Sequence, residues 1–379
     1  MQIVAVRARL LIAPIEDVIQ MSFGSLNRRQ MVLVEVEGED GKIGVGESWI
    51  NYPPWAGRER FATLEEGIAP LVVGREVEDV ELIWDDVTRA LEPLGRQSGA
   101  PGPIMQALSG VDTALWDLLG KLRKTSVAEL LGGRVRGSVP GYASGLGPND
   151  VEAQIRHSLE RGFTAVKVKL GFDREVDLLN IRHARRLVGS GEVYADANQA
   201  WPIPAVVEVA KSLAAEGVQW LEEPVTGNRL EDLIELSSNA DIPLATGENL
   251  YGPTEFERYA RSGSVAILQP DVAKSGGITP LIRVCQIASE VGVRVIPHSF
   301  GGPIGIVATL QVASALEPIE QVELDVRENP LWSVLAEPLR LDAGHVDVPL
   351  GDGLGIELDG DAVRAIEKAS WSSNTAIAV

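Results

Sequence analysis

The sequence is poor in cysteine, lysine and histidine, and it has no long apolar run. One cysteine in 379 residues, Cys285, cannot close an internal disulfide, so the fold does not depend on an oxidising compartment. No stretch reaches the roughly 18–20 uninterrupted apolar residues that a membrane-spanning helix needs. The opening MQIVAVRARLLIAPIEDVIQ is broken by Arg7 and Arg9, and no small-residue cleavage site follows, so it does not read as a secretory signal. The expected location is the cytoplasm. Bases are outnumbered: 34 Lys and Arg stand against 54 Asp and Glu, a net charge of −20. Such a field repels phosphate backbones and anionic lipid, so neither nucleic acid nor membrane is an expected partner. A small anionic substrate is compatible with it where cations or a metal reverse the field inside one cleft.

What is present is ordinary globular composition, 45% hydrophobic and 23% charged, which excludes a disordered, collagen-like or coiled-coil chain. The length suggests two or three domains. MQIVAVRARLLIA alternates like a strand, and RRQMVLVEVEGEDGKIGVGESW reads as a hairpin turning at Glu39-Asp40-Gly41. Helical patterns follow near 61–73, 77–91 and 104–122. Strands followed by helices predict a small α+β domain over 1–125.

From about residue 137 the pattern changes. VPGYAS, AVKVKL, VYADAN, WLEEPV, PLATGE, ILQPDV, RVIPHS and QVELDV alternate with helical stretches. Runs that are apolar at nearly every position suit parallel strands buried on both faces. Lys169, Asp196, Glu222, Glu248, Asp271, His298 and Glu323 are separated by 27, 26, 26, 23, 27 and 25 residues. A repeat of that size is a β/α unit, and seven or eight of them predict an α/β fold of the TIM (β/α)7-8 barrel type over 126–327. The turn-rich segment 328–379 is expected to return to the first domain.

In each run the ionisable residue sits at the end. Strand ends of one polarity converge at one barrel mouth, where active sites form. A lone Asp there is ordinarily a cap, and Lys-x-Lys on a strand is ordinarily a solvated face. Seven ionisable residues at seven successive strand ends are not explained that way, because unpaired charges are rarely buried. His157, His183 and His345 sit in polar helices or a turn and carry no such signal. Asp196, Glu222 and Glu248, on three neighbouring strands, repel one another unless a cation neutralises them. Oxygen-only ligands favour a hard ion, Mg2+ first and Mn2+ as the alternative. Glu223 should face the other side of its strand from Glu222. Lys169 and His298 flank the carboxylates as candidate bases. Asp271 is placed to accept a hydrogen bond from the imidazole, and Lys167 is expected to depress the pKa of Lys169 by like-charge repulsion. Two bases beside a metal suit proton abstraction next to a carboxylate, through an enediolate that the cations stabilise.

These residues resemble the enolase superfamily, in its mandelate racemase branch. The motifs are Lys167-Val168-Lys169, Asp196-Ala197-Asn198, Glu222-Glu223-Pro224, Gly247-Glu248-Asn249, Gln269-Pro270-Asp271 and Pro297-His298. The resemblance implies a capping role for the α+β domain, a modified barrel and a homo-oligomer. It implies Mg2+ on Asp196, Glu222 and Glu248, with Lys169 and His298 as acid–base groups, Lys167 and Asp271 as their neighbours and Glu323 bonding the substrate carboxylate. The muconate-lactonising branch carries a lysine where Asp271 stands, which argues against cycloisomerisation; Lys274, three residues on, reads as non-catalytic. The expected reaction is dehydration of a sugar acid, with two-base racemisation or epimerisation as the alternative and a catalytically silent binding protein as a third. Capping loops by position are Ile15–Asn27, with Phe23 in a flexible Ser22–Ser25 stretch, and SWINYPPW, with Trp49, Tyr52 and Trp55. Asn198, Phe23, Trp49 and Tyr52 are the candidate substrate contacts, although the aromatics equally suit interface packing. Arg28 and Arg29 read as the start of a strand.

Overall fold

The computed structural model describes residues 1–22, 24–132 and 135–373. The chain opens with an antiparallel meander of β1 (Ile3–Met21), β2 (Gly24–Gly38) and β3 (Ile43–Trp49). The β2–β3 turn falls at the expected place, with Gly41 at φ +81°, a conformation that glycine adopts without a Cβ penalty. β1 and β2 run farther than the sequence suggested. A loop was expected over Ile15–Asn27. Instead the pairing resumes after an irregularity between Pro14 and Ile19, joining Ile19 to Leu26, Gln20 to Ser25 and Met21 to Gly24. The segment is a two-stranded ribbon because Ile15, Ile19, Met21 and Leu26 share an apolar face that packs on Phe300. Phe23 lies outside the described residues.

Helix Val80–Ser98 packs on helix Pro101–Arg123, which packs on this sheet. The second meets β3 backbone to backbone: a Cβ on Gly44 would lie 2.0 Å from the Ala114 carbonyl oxygen, and one on Gly46 2.0 Å from that of Gly110. Two alternate glycines on one face of β3 permit this approach.

Eight parallel strands come next: β4 (Ser138–Leu146), β5 (Ala165–Lys169), β6 (Glu192–Asp196), β7 (Leu221–Glu222), β8 (Leu244–Thr246), β9 (Ile267–Leu268), β10 (Arg294–Val295) and β11 (Val322–Asp325). They pair in chain order from β4 to β10, β11 pairs with β4, and Val295 bridges Ile319. The barrel therefore closes with eight units, not seven. Tyr142, Ala165, Tyr194, Trp220, Ala245, Ile267 and Ile296 form one buried cluster, with Tyr194 stacked on Trp220 at 4.5 Å. Two residues beyond each comes the next position on the same face: Ser144, Lys167, Asp196, Glu222, Gly247, Gln269 and His298. The polar layer thus rests on an aromatic floor, with Lys167 Nζ 5.6 Å and 5.7 Å from the Tyr142 and Trp220 ring centroids.

The C-terminal segment divides its attachments. Strands β12 (Leu341–Asp342) and β13 (His345–Asp347) form a pair whose second member lies on β4. After helix Gly360–Ile366, β14 (Glu367–Ser372) joins the first sheet beside β1. The tail thus leans on the barrel before it returns to the first domain. Among the described residues no helix is long and apolar enough to cross a membrane.

Candidate active site

Lys167 and Lys169 point the same way from β5 because they are two residues apart. Both are buried. Lys167 Nζ lies 2.6 Å from Glu222 Oε2 and 2.7 Å from Glu323 Oε1. Lys169 Nζ donates to Asp196 Oδ2 at 2.5 Å and to Asn198 Oδ1 at 2.9 Å. Lys167 does lower the pKa of Lys169, but it does not set the net direction. Burial pulls that pKa down most and Lys167 adds to that, yet the carboxylates of Asp196, Glu222 and Glu248 together raise it by more and the net direction is upward. An ion pair in contact beats a like charge farther off.

Asp196 and Glu222 are register partners on β6 and β7, and Glu248 follows β8 by two residues. Burial and then the charge of Asp196 push the Glu222 carboxyl up to about 7. Glu222 Oε2 accepts from Lys167 and, at 2.7 Å, from Gln269, whereas Oε1 is buried without a hydrogen-bond partner among the described residues. The three carboxylates do not stand together as a ready cage among the described residues. Asp196 is drawn to Lys169, Glu222 to Lys167 and Glu248 to His298. The donor set itself fits a hard divalent ion: oxygen ligands only, from adjacent strand ends, with an unspent buried acceptor on Glu222.

His298 stands on the other flank. Its Nδ1 lies 2.7 Å from Asp271 Oδ2, and its Nε2 lies 2.7 Å from Glu248 Oε2. Burial would lower the imidazole pKa, but Glu248 and Glu323 raise it well above the ordinary value. Glu323 Oε1 accepts from the Ser144 hydroxyl, and Oε2 accepts the Ser299 N–H at 3.2 Å. Against the pull of burial, Lys167, His298 and Lys169 together hold its carboxyl down at about 2. Glu223 faces elsewhere, at φ +37°, and accepts from Gln199, Asn228 and Asn249.

Lys274, which reads from the sequence as non-catalytic, lies beside these groups. Its ammonium is buried, 3.1 Å from Asn249 Oδ1, 3.9 Å from Glu248 Oε1 and 4.5 Å from the Trp49 ring centroid. A turn folds it back over the mouth, with the Lys274 and Ser275 N–H groups donating to the Asp271 carbonyl at 2.9 Å and 2.8 Å. A lone basic residue in a buried turn was the available signal. Of the aromatic candidates, Trp49 is buried and donates to Phe300 O at 2.8 Å. Tyr52 is half-buried, with its centroid 6.2 Å from that of Trp49. Trp55 is 62% exposed and does not join them. Arg28 and Arg29 lie in β2; Arg29 is buried, pairs with Asp325 and stacks on Phe300 at 4.5 Å.

Two family models match the chain. One, the mandelate racemase/muconate lactonizing enzyme N-terminal domain, covers residues 4–132, and the other, enolase C-terminal domain-like, covers residues 150–362. The chain belongs to the mandelate racemase/muconate lactonizing enzyme family. Among curated family members it is 34% identical to the D-galactarolactone cycloisomerase of Agrobacterium fabrum, over 96% of this chain and 98% of that one. It is 31% identical to the arabinonate dehydratase of Saccharolobus solfataricus, over 86% and 87%. The solved L-talarate dehydratase of Polaromonas sp. JS666, complexed with Mg and L-glucarate, superposes with a TM-score of 0.86 at 27% identity over 98% of each chain.

Proposed function

We propose that this family member removes the α-proton of a sugar acid and expels the β-hydroxyl, giving a 2-keto-3-deoxy acid. The observation that carries the reading is the paired arrangement of Lys169 on one flank of the carboxylates and His298, bonded to Asp271, on the other. Asp196, Glu222 and Glu248 would hold Mg2+, with Mn2+ the alternative ion for the same oxygen ligands. When bound, such an ion would draw those carboxylates off the lysines and the imidazole and add positive charge beside the substrate carboxylate.

The chain's own groups do the rest. Lys167 is held by Glu222 and Glu323 and supplies a fixed cation for the substrate carboxylate. One flanking base takes the α-proton. The electron pair left on carbon forms the Cα–Cβ double bond as the Cβ–O bond breaks. The opposite group, protonated, delivers its proton to the departing hydroxyl, which leaves as water. The resulting enol tautomerises to the 2-keto acid. Asp271 keeps the imidazole tautomer with Nε2 toward the substrate.

A second reading has its own support. The 34%-identical relative bears the name of a cycloisomerase, although no lysine stands at position 271. Both reactions begin with the same α-proton. The test is a library of mono- and diacid sugars and their lactones with Mg2+, read by mass. Dehydration is expected as loss of water. A product of unchanged mass from a lactone would favour cycloisomerisation, and from an open acid, epimerisation. No product and no α-deuterium uptake across the library would defeat all three.

A further inference from the structure

Side chains 47, 49 and 51 share one face of β3 and its extension, because alternation spaces them by two. All three reach one short stretch of barrel backbone. Glu47 accepts the N–H of Gly302 and, at 2.9 Å, that of Gly305. Trp49 Nε1 donates to Phe300 O at 2.8 Å, and Asn51 Nδ2 donates to the same oxygen at 2.7 Å. The backbone N–H of Trp49 adds a bond to Ala273 O at 3.1 Å. The fit is close. A Cβ on Gly301 would lie 2.6 Å from Glu47 Oε1, and one on Gly302 2.3 Å from Met31 Sδ.

The two stretches held in this way carry the acid–base pair. Phe300 is two residues past His298, and Ala273 is two past Asp271. The barrel alone gives them little. β9 and β10 pair over two residues each, at Ile267–Leu268 and Arg294–Val295, so Asp271 and His298 stand beyond the ladder. The Asp271 carbonyl accepts the Lys274 and Ser275 N–H groups within the barrel, and the backbone two residues past each member of the pair, at Ala273 and Phe300, takes its partners from the first domain.

We propose that Glu47, Trp49 and Asn51 form an inter-domain clamp that positions the His298–Asp271 pair. They are positioning residues, since their bonds go to backbone. Trp49, expected as a substrate contact, belongs to this clamp. The inference rests on His298 acting as a proton-transfer group, as proposed above. A misplacement of about 1 Å can cost on the order of a hundredfold in rate, so the clamp acts on the chemical step and not on binding.

The experiment compares Glu47→Gln, Trp49→Phe and Asn51→Ala with the wild-type chain. The first readout is α-deuterium uptake from two epimeric sugar acids, one presenting its proton to Lys169 and one to His298. For each variant, exchange on the His298 face should fall by about tenfold or more in kcat, with KM within about twofold and the Lys169 face within about twofold. The second readout needs no substrate: carbethoxylation by diethyl pyrocarbonate, mapped by mass. His298 is buried, while His157 and His345 are exposed. Labelling of His298 relative to those two should rise several-fold in each variant. Equal loss on both faces, or unchanged relative labelling of His298, overturns the clamp. If the wild-type chain exchanges neither epimer, the reaction reading falls, and the labelling result alone decides the clamp.

Discussion

Lys169 and Asp196 are register partners on β5 and β6, and that single pairing sets the balance of the site. A buried ammonium needs a counter-charge, and Asp196 supplies it at 2.5 Å. The same carboxylate is the proposed metal ligand, so base and ion share one acid. Glu222 is placed alike, between Lys167 and Gln269, with one oxygen unspent. Glu222→Gln keeps the shape and removes a charge from that position. Outer groups around a metal already change affinity by about 10–100-fold, so Mg2+ affinity by calorimetry should fall by at least about tenfold. An unchanged affinity would remove Glu222 from the ligand set. For the bases, Lys169→Ala and His298→Asn should each lower turnover by about 10²–10⁴-fold with circular dichroism unaltered. Loss in only one of them would mean a single-base elimination.

At the scale of elements, what the sequence made legible was the repeat. Each spacing of 23 to 27 residues is one strand, one helix and two turns, and the polar residue at the strand end marks the mouth. Strand ladders are only two residues long in β7, β9 and β10, yet the apolar runs located them, because burial on both faces extends past the hydrogen-bonded pairs. The partners of β3 were not legible. Alternation shows that 47, 49 and 51 share a face, but their acceptors and donors lie 249 to 258 residues away, and periodicity does not say what a face meets. The position of Lys274 was not legible for another reason: a turn, not a strand, aims it. The other face of β3 is easier to test. Gly46→Ala sets a methyl against the Gly110 carbonyl and must push the helix Pro101–Arg123 away. Urea midpoints should show a loss of about 1–3 kcal/mol. Gly24→Ala, where a Cβ meets nothing within 4 Å, should change stability little.

Across the whole molecule, three buried acids fasten the first domain to the barrel and the C-terminal segment. Glu47 takes the N–H groups that open helix Pro303–Ala315. Asp117 accepts from Leu354 and Val45, both at 2.8 Å. Asp112, on helix Pro101–Arg123, accepts the Thr279 N–H at 2.9 Å and the Thr279 hydroxyl at 2.6 Å, at the start of helix Ile278–Val291. Helix starts offer unpaired N–H groups and partial positive charge, which suits carboxylates that burial would otherwise exclude. Burial still prevails: it pushes Glu47 and Asp112 each up to about 7. Proton counting then sets the pH dependence of stability. Between the ordinary carboxylate range and about 7, the folded chain keeps the Asp112 proton that the unfolded chain has released. Stability from this group is therefore full at acidic pH, falls as pH rises through that window, and is level above it. Asp112→Asn cannot titrate. Measured by urea unfolding near pH 5 and near pH 8, the variant should gain on the wild-type chain by about 2–3 kcal/mol, at about 1.4 kcal/mol per pH unit. Parallel curves at the two pH values would show that Asp112 stays ionised in the folded chain, with the Thr279 donors and the helix start outweighing its burial.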